Sequence, residues 1–121
     1  ITTSNAPAAI GPYSQAIEVN GMVFISGQLP IDTATGKFPE GGVKEQTAQS
    51  FKNIKAILGE IGLTTDNIVK TTVLLADMSL FADMNEVYAT QFNGAFPARS
   101  AFAVKALPKD ALVEIEVIAA R

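Results

Sequence analysis

Arg99 is the residue of this chain whose type and position point most directly to chemistry. The sequence of 121 residues has two arginines, and the other, Arg121, is the last residue. Arg99 follows Pro97 and opens an apolar run that ends before Pro108, so it stands at the start of a predicted strand. Its planar guanidinium matches a carboxylate bidentately, which a lysine ammonium cannot do. We interpret Arg99 as an anion anchor, and the alternative is a structural ion pair.

Glu114 and Glu116 form the second candidate group, in the sequence LVEIEVIA near the end of the chain. Strict alternation along a strand puts both carboxylates and Ile118 on one face and apolar residues on the other. If that face is buried, one acid must be paired, hydrated or protonated, because an isolated buried carboxylate is very costly. The alternative is an exposed face on which both acids are solvated. The connection 105–112 fits either a hairpin or a crossover, so spacing does not place the strand of Arg99 beside this one.

Weaker candidates lie outside the predicted elements or at their ends, where ligand-contacting groups often gather. Tyr13 stands in IGPYSQ, and Ser26 and Gly27 end a predicted strand. Asn85 lies on a predicted helix. Each also has a structural explanation, namely a packed tyrosine, a strand end and a solvated helix position.

The composition excludes several kinds of catalyst. The chain has no histidine and no cysteine, which removes imidazole bases, thiolate nucleophiles, disulfides and the usual zinc ligand sets. Chemistry must then use carboxylates, hydroxyls, lysine, arginine, backbone amides and water. Neither GxGxxG nor GxxxxGK[ST] occurs, so we expect no cofactor and no metal.

Charge and hydropathy restrict the partners. A net charge of -3 opposes binding to phosphate backbones, and no cluster of lysines marks a basic face, so we do not expect a nucleic acid partner. The apolar runs are too short to span a membrane, and no charged leader precedes one. We therefore expect a soluble, cytoplasmic protein. A leader removed from a longer precursor stays an open alternative, because the chain starts at Ile1 rather than at a methionine.

The elements that must position these residues begin with a β-hairpin over residues 16–26. Two β-prone runs are joined by Asn20-Gly21, which tolerates the positive φ angles of a type I′ turn. The prolines and glycines of residues 30–42 predict a surface loop after it. The two-residue turn of the hairpin places four side chains on one face, namely Ile17, Val19, Met22 and Phe24.

Two amphipathic helices are predicted. Apolar or small residues three and four apart indicate the first over 43–61, with Gly62 just past its end. A second apolar stripe indicates a helix over 78–92, and its members are Met78, Phe81, Met84, Tyr88 and Phe92. The residues that could cap or close this second helix are Asp77, Ser79 and Gly94.

Three further strands complete the order β-β-α-β-α-β-β. The run 68–75 is β-branched and apolar, which is typical of an inner strand covered on both faces, and strands are predicted at 99–104 and 112–119. This order indicates one α+β domain over residues 1–121, with both helices on one face of a mixed sheet. Because only 17% of the residues are charged, we expect the other face to pack against further subunits in a ring or barrel.

Several segments resemble the RidA, or YjgF, family of reactive-intermediate deaminases over nearly the whole chain. The combination of FPAR and EIE at this separation is the specific part of the resemblance. The matching segments are NAPAAIGPYSQA (5–16), ISGQLP (25–30), IVKTTVLLADM (68–78), NEVY (85–88), FPARSAF (96–102) and VEIE (113–116).

The resemblance implies a fold and an assembly. These are a chorismate-mutase-like two-layer domain with a sheet of the six-strand type, and a homotrimeric barrel with clefts between subunits. In such a cleft Arg99 would grip a substrate carboxylate, and Glu114 would hold and polarise a water molecule. Other positions that match the cleft are Tyr13, Ser26, Gly27, Asn85 and the backbone amide of Ala101.

The function implied by the resemblance is hydrolysis of enamines and imines, such as 2-aminoacrylate and 2-aminocrotonate, to 2-oxo acids and ammonia. Many bacterial members have cysteine where this chain has Ala101, so any role of that thiol is absent here. Two other functions stay open, namely a non-catalytic 2-oxo acid sensor and an endoribonuclease or translation inhibitor. The second is disfavoured, because the chain has neither histidine nor a basic patch.

Overall fold

The computed structural model describes all 121 residues, as five strands and two α-helices in the predicted order. Short 3-10 turns precede β3, α2 and β5, and another follows α2. The elements are β1 (Ala16–Val19), β2 (Met22–Gln28), α1 (Val43–Glu60), β3 (Ile68–Leu75), α2 (Phe81–Tyr88), β4 (Ala98–Ala103) and β5 (Val113–Ala120).

The sheet is mixed, with the strand order β1-β2-β5-β3-β4. Strands β3 and β4 are parallel, and the other neighbours are antiparallel. The prediction of a six-strand-type sheet is wrong, since the sheet has five strands. The loop after β2 has only an isolated bridge between Asp32 and Lys37, because its prolines and glycines interrupt any longer pairing.

The predicted hairpin is confirmed with its register. Val19 pairs with Met22 and Ile17 with Phe24, around a turn in which Asn20 and Gly21 have φ angles of 50° and 77°. Both turn residues therefore have the left-handed backbone of a type I′ turn.

Helix α1 follows the prediction, and α2 is shorter than predicted. Gly62 has φ +75° and ends α1 as expected, and the Leu63 N–H donates to the Leu58 carbonyl at 2.9 Å. Helix α2 stops at Tyr88, so Gly94 does not close it. At this end the Thr90 hydroxyl donates to the Val87 carbonyl at 2.6 Å, and such a side-chain bond competes with helix continuation. Neither helix is long and apolar enough to cross a membrane.

Both helices pack on one face of the sheet, as predicted. The core cluster of 19 residues includes the alternate residues Val113, Ile115, Val117 and Ala119 of β5. The opposite face, here called the open face, is not covered within the chain, so the cover expected for the second face of β3 stays a prediction. Apolar side chains on the open face that are about half exposed are Ile17 (53%), Val19 (51%), Phe24 (44%) and Phe102 (47%).

Buried polar side chains hold the loops at both ends of the first hairpin. On α1 the Ser50 hydroxyl donates to the Gln28 carbonyl at 3.0 Å, and the Asn53 amide donates to the carbonyls of Leu29 and Ile31. The buried Gln15 side chain binds the amino-terminal segment, including the Pro7 carbonyl at 2.8 Å. These bonds fix the segment of Tyr13 and the end of β2 relative to the core.

Candidate active site

Arg99 lies on the helix-covered side of β4 and is held only by uncharged groups. Its Nη1 donates to the Oδ1 of Asn85 on α2 at 2.5 Å. The guanidinium carbon lies 4.7 Å from the ring centroid of Tyr88 and 5.3 Å from that of Phe81. The two ion pairs of the molecule involve other residues, so the structural ion-pair interpretation of Arg99 is wrong. The positive charge is left without a counter-charge.

A cavity of about 420 Å³ opens beside this arginine. Arg99 and Asn85 supply its polar groups, and Tyr88, Phe96 and Pro97 supply most of its apolar wall. A charged donor beside an apolar wall suits a small carboxylic acid, because the guanidinium binds the acid group and the wall covers the carbon chain.

Glu114 lies on the other side of the sheet, on the open face of β5 and opposite Leu74 of β3. It is half-buried, and desolvation by this burial raises the pKa of its carboxyl, with a further contribution from the negative charge of Glu116. Glu116 is exposed. The two acids therefore differ, so neither a fully buried nor a fully solvated face describes the pair.

Ser26 and Gly27 lie beside Glu114 in an irregularity of β2. The register between β2 and β5 shifts between Ile25 and Gln28, as in a β-bulge. A Cβ atom added at Gly27 would lie 3.0 Å from the Cδ of Glu114 and closer still to one carboxylate oxygen. The carboxylate thus occupies space that only glycine leaves free.

Tyr13 stands on the same side as this bulge. It is 53% exposed, and with Gly27 it lines a second cavity of about 380 Å³. The Ser26 hydroxyl donates to the Ser14 carbonyl at 2.6 Å, which joins the tyrosine segment to β2. Tyr13, Ser26, Gly27 and Glu114 form one group, which we call the glutamate half.

Ala101 lies on the same strand as Arg99, β4, and on the same face of the sheet. It pairs with Val73 in the parallel ladder, and its side chain packs against the core on the face of Arg99. Because β4 is an edge strand, part of its backbone has no strand partner within the chain and can bind a ligand. Arg99, Asn85 and Ala101 form the arginine half.

The two halves lie on opposite faces of the sheet. Strand β3 separates β4 from β5, so the strands of Arg99 and Glu114 are not neighbours, and their axes are about 10 Å apart. A molecule with four or five carbon atoms cannot contact both side chains of one chain. The structure also has no group of three or more acidic side chains that could hold a metal ion.

Sequence reasoning missed the aromatic side chains around Arg99. It placed Tyr88 and Phe81 in the apolar stripe of a helix. Tyr88 is indeed buried, at 5% exposure. Its ring also lies against the Arg99 guanidinium and forms part of the cavity wall. A tyrosine within an otherwise apolar stripe is a signal that could have singled it out, because its buried hydroxyl needs a partner.

Comparisons with known proteins give a consistent result. A family model described as endoribonuclease L-PSP matches residues 3–121. The chain is 52% identical over 119 residues to a 2-iminobutanoate/2-iminopropanoate deaminase of Mus musculus, covering 98% of this chain and 88% of that protein.

Solved structures agree with this result. A Rid family protein of unknown function from Yersinia pestis superposes with a TM-score of 0.96 at 52% identity, covering 100% of this chain and 97% of that one. E. coli TdcF with bound serine superposes with a TM-score of 0.95 at 44% identity, with the same coverage of 100% and 97%.

Proposed function

Because the chain belongs to the endoribonuclease L-PSP family, also called RidA or YjgF, we propose that it is a deaminase that hydrolyses reactive enamine and imine intermediates. Its substrates are 2-aminoacrylate, 2-aminocrotonate and their 2-imino acid tautomers, and its products are 2-oxo acids and ammonia. The deaminase name of the mouse relative, at 52% identity over almost the full chain, supports this reaction.

The observation that carries the proposal is the arginine without a counter-charge beside a cavity. Arg99 has neutral partners only, so its charge and its remaining N–H donors are available to a ligand carboxylate. A 2-imino acid provides that carboxylate next to the carbon that reacts. Binding at Arg99 therefore places the electrophilic C2 within a short distance of the guanidinium.

The proposed mechanism uses one carboxylate and one water molecule. Glu114 accepts a proton from water as the water oxygen bonds to C2, and the electron pair of the C=N π bond moves to the substrate nitrogen. The nitrogen then takes this proton from Glu114, which gives the carbinolamine. In the second step Glu114 accepts the hydroxyl proton of the carbinolamine and returns it to the amino nitrogen as the C–N bond breaks, so ammonia leaves and the C2–oxygen bond becomes the carbonyl of the 2-oxo acid. A raised pKa brings Glu114 closer to the working pH, where a general base is most effective.

A complete site needs two subunits, and we propose a homotrimer in which a cleft joins the arginine half of one chain to the glutamate half of the next. The placement of the two halves on opposite faces of one sheet supports this arrangement. So does the open face, whose half-exposed Phe24, Phe102 and Ile17 would be covered by neighbouring sheets. Cytoplasmic location stays a prediction.

The roles of the two charged residues can be tested in a coupled assay. A pyridoxal-phosphate dehydratase acting on threonine supplies the enamine, and the rate of imine loss is followed. We expect Arg99→Lys and Glu114→Gln each to lower kcat/KM by about 100-fold or more, as is typical for loss of a key charged group. The matched controls are Arg121→Lys and Glu60→Gln, whose side chains lie outside both halves. Rates within two-fold of wild type in both test variants would contradict the assigned roles.

Mixing the two inactive variants tests the shared cleft. When Arg99→Lys and Glu114→Gln chains are unfolded together and refolded in equal amounts, about a quarter of the clefts regain both native residues by random assembly. Activity should therefore return to about a quarter of the wild-type value. If both residues of a site came from one chain, the mixture would remain as inactive as its components.

A non-catalytic 2-oxo acid sensor is the main alternative. For a pure anion binder, the nearby Glu114 carboxylate is repulsive, so Glu114→Gln should tighten binding of 2-oxobutyrate without any catalytic loss. The deaminase proposal requires the catalytic loss. The endoribonuclease in the family description is disfavoured by the net charge of -3, which opposes binding to RNA phosphates.

A further inference from the structure

The guanidinium of Arg99 is oriented by contacts with uncharged side chains. A buried or partly buried guanidinium is commonly paired with a carboxylate, which neutralises and orients it. A carboxylate partner here would neutralise the charge that the ligand needs. The groups that orient Arg99 are instead an amide oxygen and two aromatic faces.

Tyr88 is the closer of the two rings. Its centroid lies 4.7 Å from the guanidinium carbon, against 5.3 Å for Phe81, and both distances are within the range of cation–π contacts. Such a contact is attractive over the face of the ring, so the position of the ring sets where the guanidinium rests. Tyr88 also contributes to the wall of the cavity.

The ring of Tyr88 is itself fixed from the core side. Its hydroxyl and the hydroxyl of Thr71 are 2.8 Å apart, and Thr71 is fully buried. Phe51 meets the ring edge to face at a centroid distance of 5.6 Å, and Phe92 lies 5.1 Å away. Phenylalanine would satisfy these apolar contacts equally well, so the hydroxyl adds the bond to Thr71 alone.

The strand register links this bond to the arginine. Thr71 of β3 is the residue paired with Arg99 of β4, and both side chains point to the helix-covered face. Thr71 therefore fixes the ring of Tyr88, and that ring lies against Arg99, the strand partner of Thr71. Each of these three residues therefore contacts or pairs with the other two. Thr71 lies on β3, Arg99 on β4 and Tyr88 on α2.

We propose that Tyr88 is a positioning residue, whose ring is locked by Thr71 and holds the Arg99 guanidinium in the direction from which it binds the substrate carboxylate. This inference rests on the proposed function, since it concerns the same arginine. The hydroxyl pair acts at a distance from the reacting atoms, so it should affect carboxylate binding more than the chemical step.

The test compares variants that remove the hydrogen bond between Thr71 and Tyr88, which we call the lock, with a variant that keeps it. Tyr88→Phe and Thr71→Val each remove the same hydrogen bond from opposite ends, and Tyr88→Leu removes the ring as well. Thr47→Val is the matched control, because Thr47 is also fully buried but its hydroxyl has no hydrogen-bond partner. Thermal unfolding of every variant confirms that the fold is retained.

The readouts are the Kd of 2-oxobutyrate by calorimetry and the separate kcat and KM of imine hydrolysis. We expect Tyr88→Phe and Thr71→Val to weaken binding by about two- to five-fold and Tyr88→Leu by about ten-fold, as for partial or full loss of a cation–π contact. The kcat should stay within about two-fold of wild type, and KM should rise with Kd. The double variant Tyr88→Phe/Thr71→Val should match the single variants, because one bond is lost in each case.

Measurements in the Arg99→Lys variant distinguish a failure of the Tyr88 inference from a failure of the proposed carboxylate anchor. If Tyr88 acts through Arg99, adding Tyr88→Phe to Arg99→Lys should change Kd no further. A persisting effect, or a Kd for both lock variants equal to that of Thr47→Val, would overturn this inference and leave the deaminase proposal intact. If Arg99→Lys alone left 2-oxobutyrate binding unchanged, the anchor in the proposed function would fail, and the role of Tyr88 with it.

Discussion

Glu114 and Glu116 are two residues apart on one strand, yet their surroundings differ. Glu114 is half-buried beside Gly27, and Glu116 is exposed. Desolvation, and to a lesser extent the charge of Glu116, raises the pKa of Glu114 above its ordinary value of 4.5. The folded chain thus binds a proton at Glu114 more tightly than the unfolded chain does. The contribution of the protonated carboxyl to the free energy of unfolding is fully present below the ordinary pKa, and it is lost as the pH rises through the raised pKa.

The same shift predicts the acid limb of the activity profile. Because Glu114, as the proposed general base, has to be ionised to accept a proton from water, kcat/KM should fall as the pH drops through its raised pKa. Glu116→Gln removes the negative neighbour, so the limb should move to lower pH. The move should be modest, since burial, the larger cause of the shift, remains. The measurement is a pH profile of kcat/KM, with Glu60→Gln as a distant control. A limb that stays in place in Glu116→Gln, or moves to higher pH, would contradict the assignment of Glu114 as the base.

At the level of elements, the bulge in β2 and its supports on α1 place the glutamate half. Ser50 and Asn53 of α1 hold the carbonyls that follow the bulge, and Gln15 holds the segment that precedes the hairpin. The irregular backbone at Ser26 and Gly27 is thus fixed on both sides. The carboxylate of Glu114 can then rest against Gly27 without a side chain between them.

This contact predicts the effect of Gly27→Ala. The new methyl group would displace the Glu114 carboxylate, which is the flexible end of a side chain, so stability should change little while kcat falls by about ten-fold or more. The control is Gly59→Ala in α1, where an added Cβ meets nothing within 4 Å and should stabilise the helix by about 0.5–1 kcal/mol. Urea unfolding and the coupled assay measure the two quantities. Wild-type activity in folded Gly27→Ala would show that the position of Glu114 does not matter.

At the scale of the whole molecule, the open face is the surface through which the proposed assembly would affect activity. Phe24 and Phe102 lie on it at 44% and 47% exposure, and charged residues make up only 17% of the chain. Covering these side chains with neighbouring sheets would bury apolar surface and would bring the two halves of the site together. Loss of the assembly should therefore abolish catalysis even when each chain stays folded.

Phe24→Glu tests this link. A carboxylate on this apolar face should dissociate the proposed trimer, because its burial without a partner is costly. We expect smaller particles in sedimentation velocity and a loss of imine hydrolysis of about 100-fold, since each cleft then lacks one half. Ala48→Glu adds the same charge on the exposed side of α1 and should change neither property. Monomers that retain full activity would overturn the shared cleft.

The sequence by itself determined the local elements and the available chemistry. Asn20-Gly21 specified the hairpin and its register, and the three- and four-residue spacing specified α1, because these depend on contacts between chain neighbours. The absence of histidine and cysteine restricted chemistry to carboxylates, hydroxyls, lysine, arginine, backbone amides and water, and the family motifs singled out Arg99 and Glu114 among them.

Only the tertiary structure decided how these elements meet. The register of β3 with β4 and β5 places Arg99 and Glu114 on opposite faces of the sheet. The packing of α2 on the sheet brings Asn85 and Tyr88 to the arginine. Strand order and face are set by which apolar surfaces are buried together across distant parts of the chain. Local spacing carries no information about that choice.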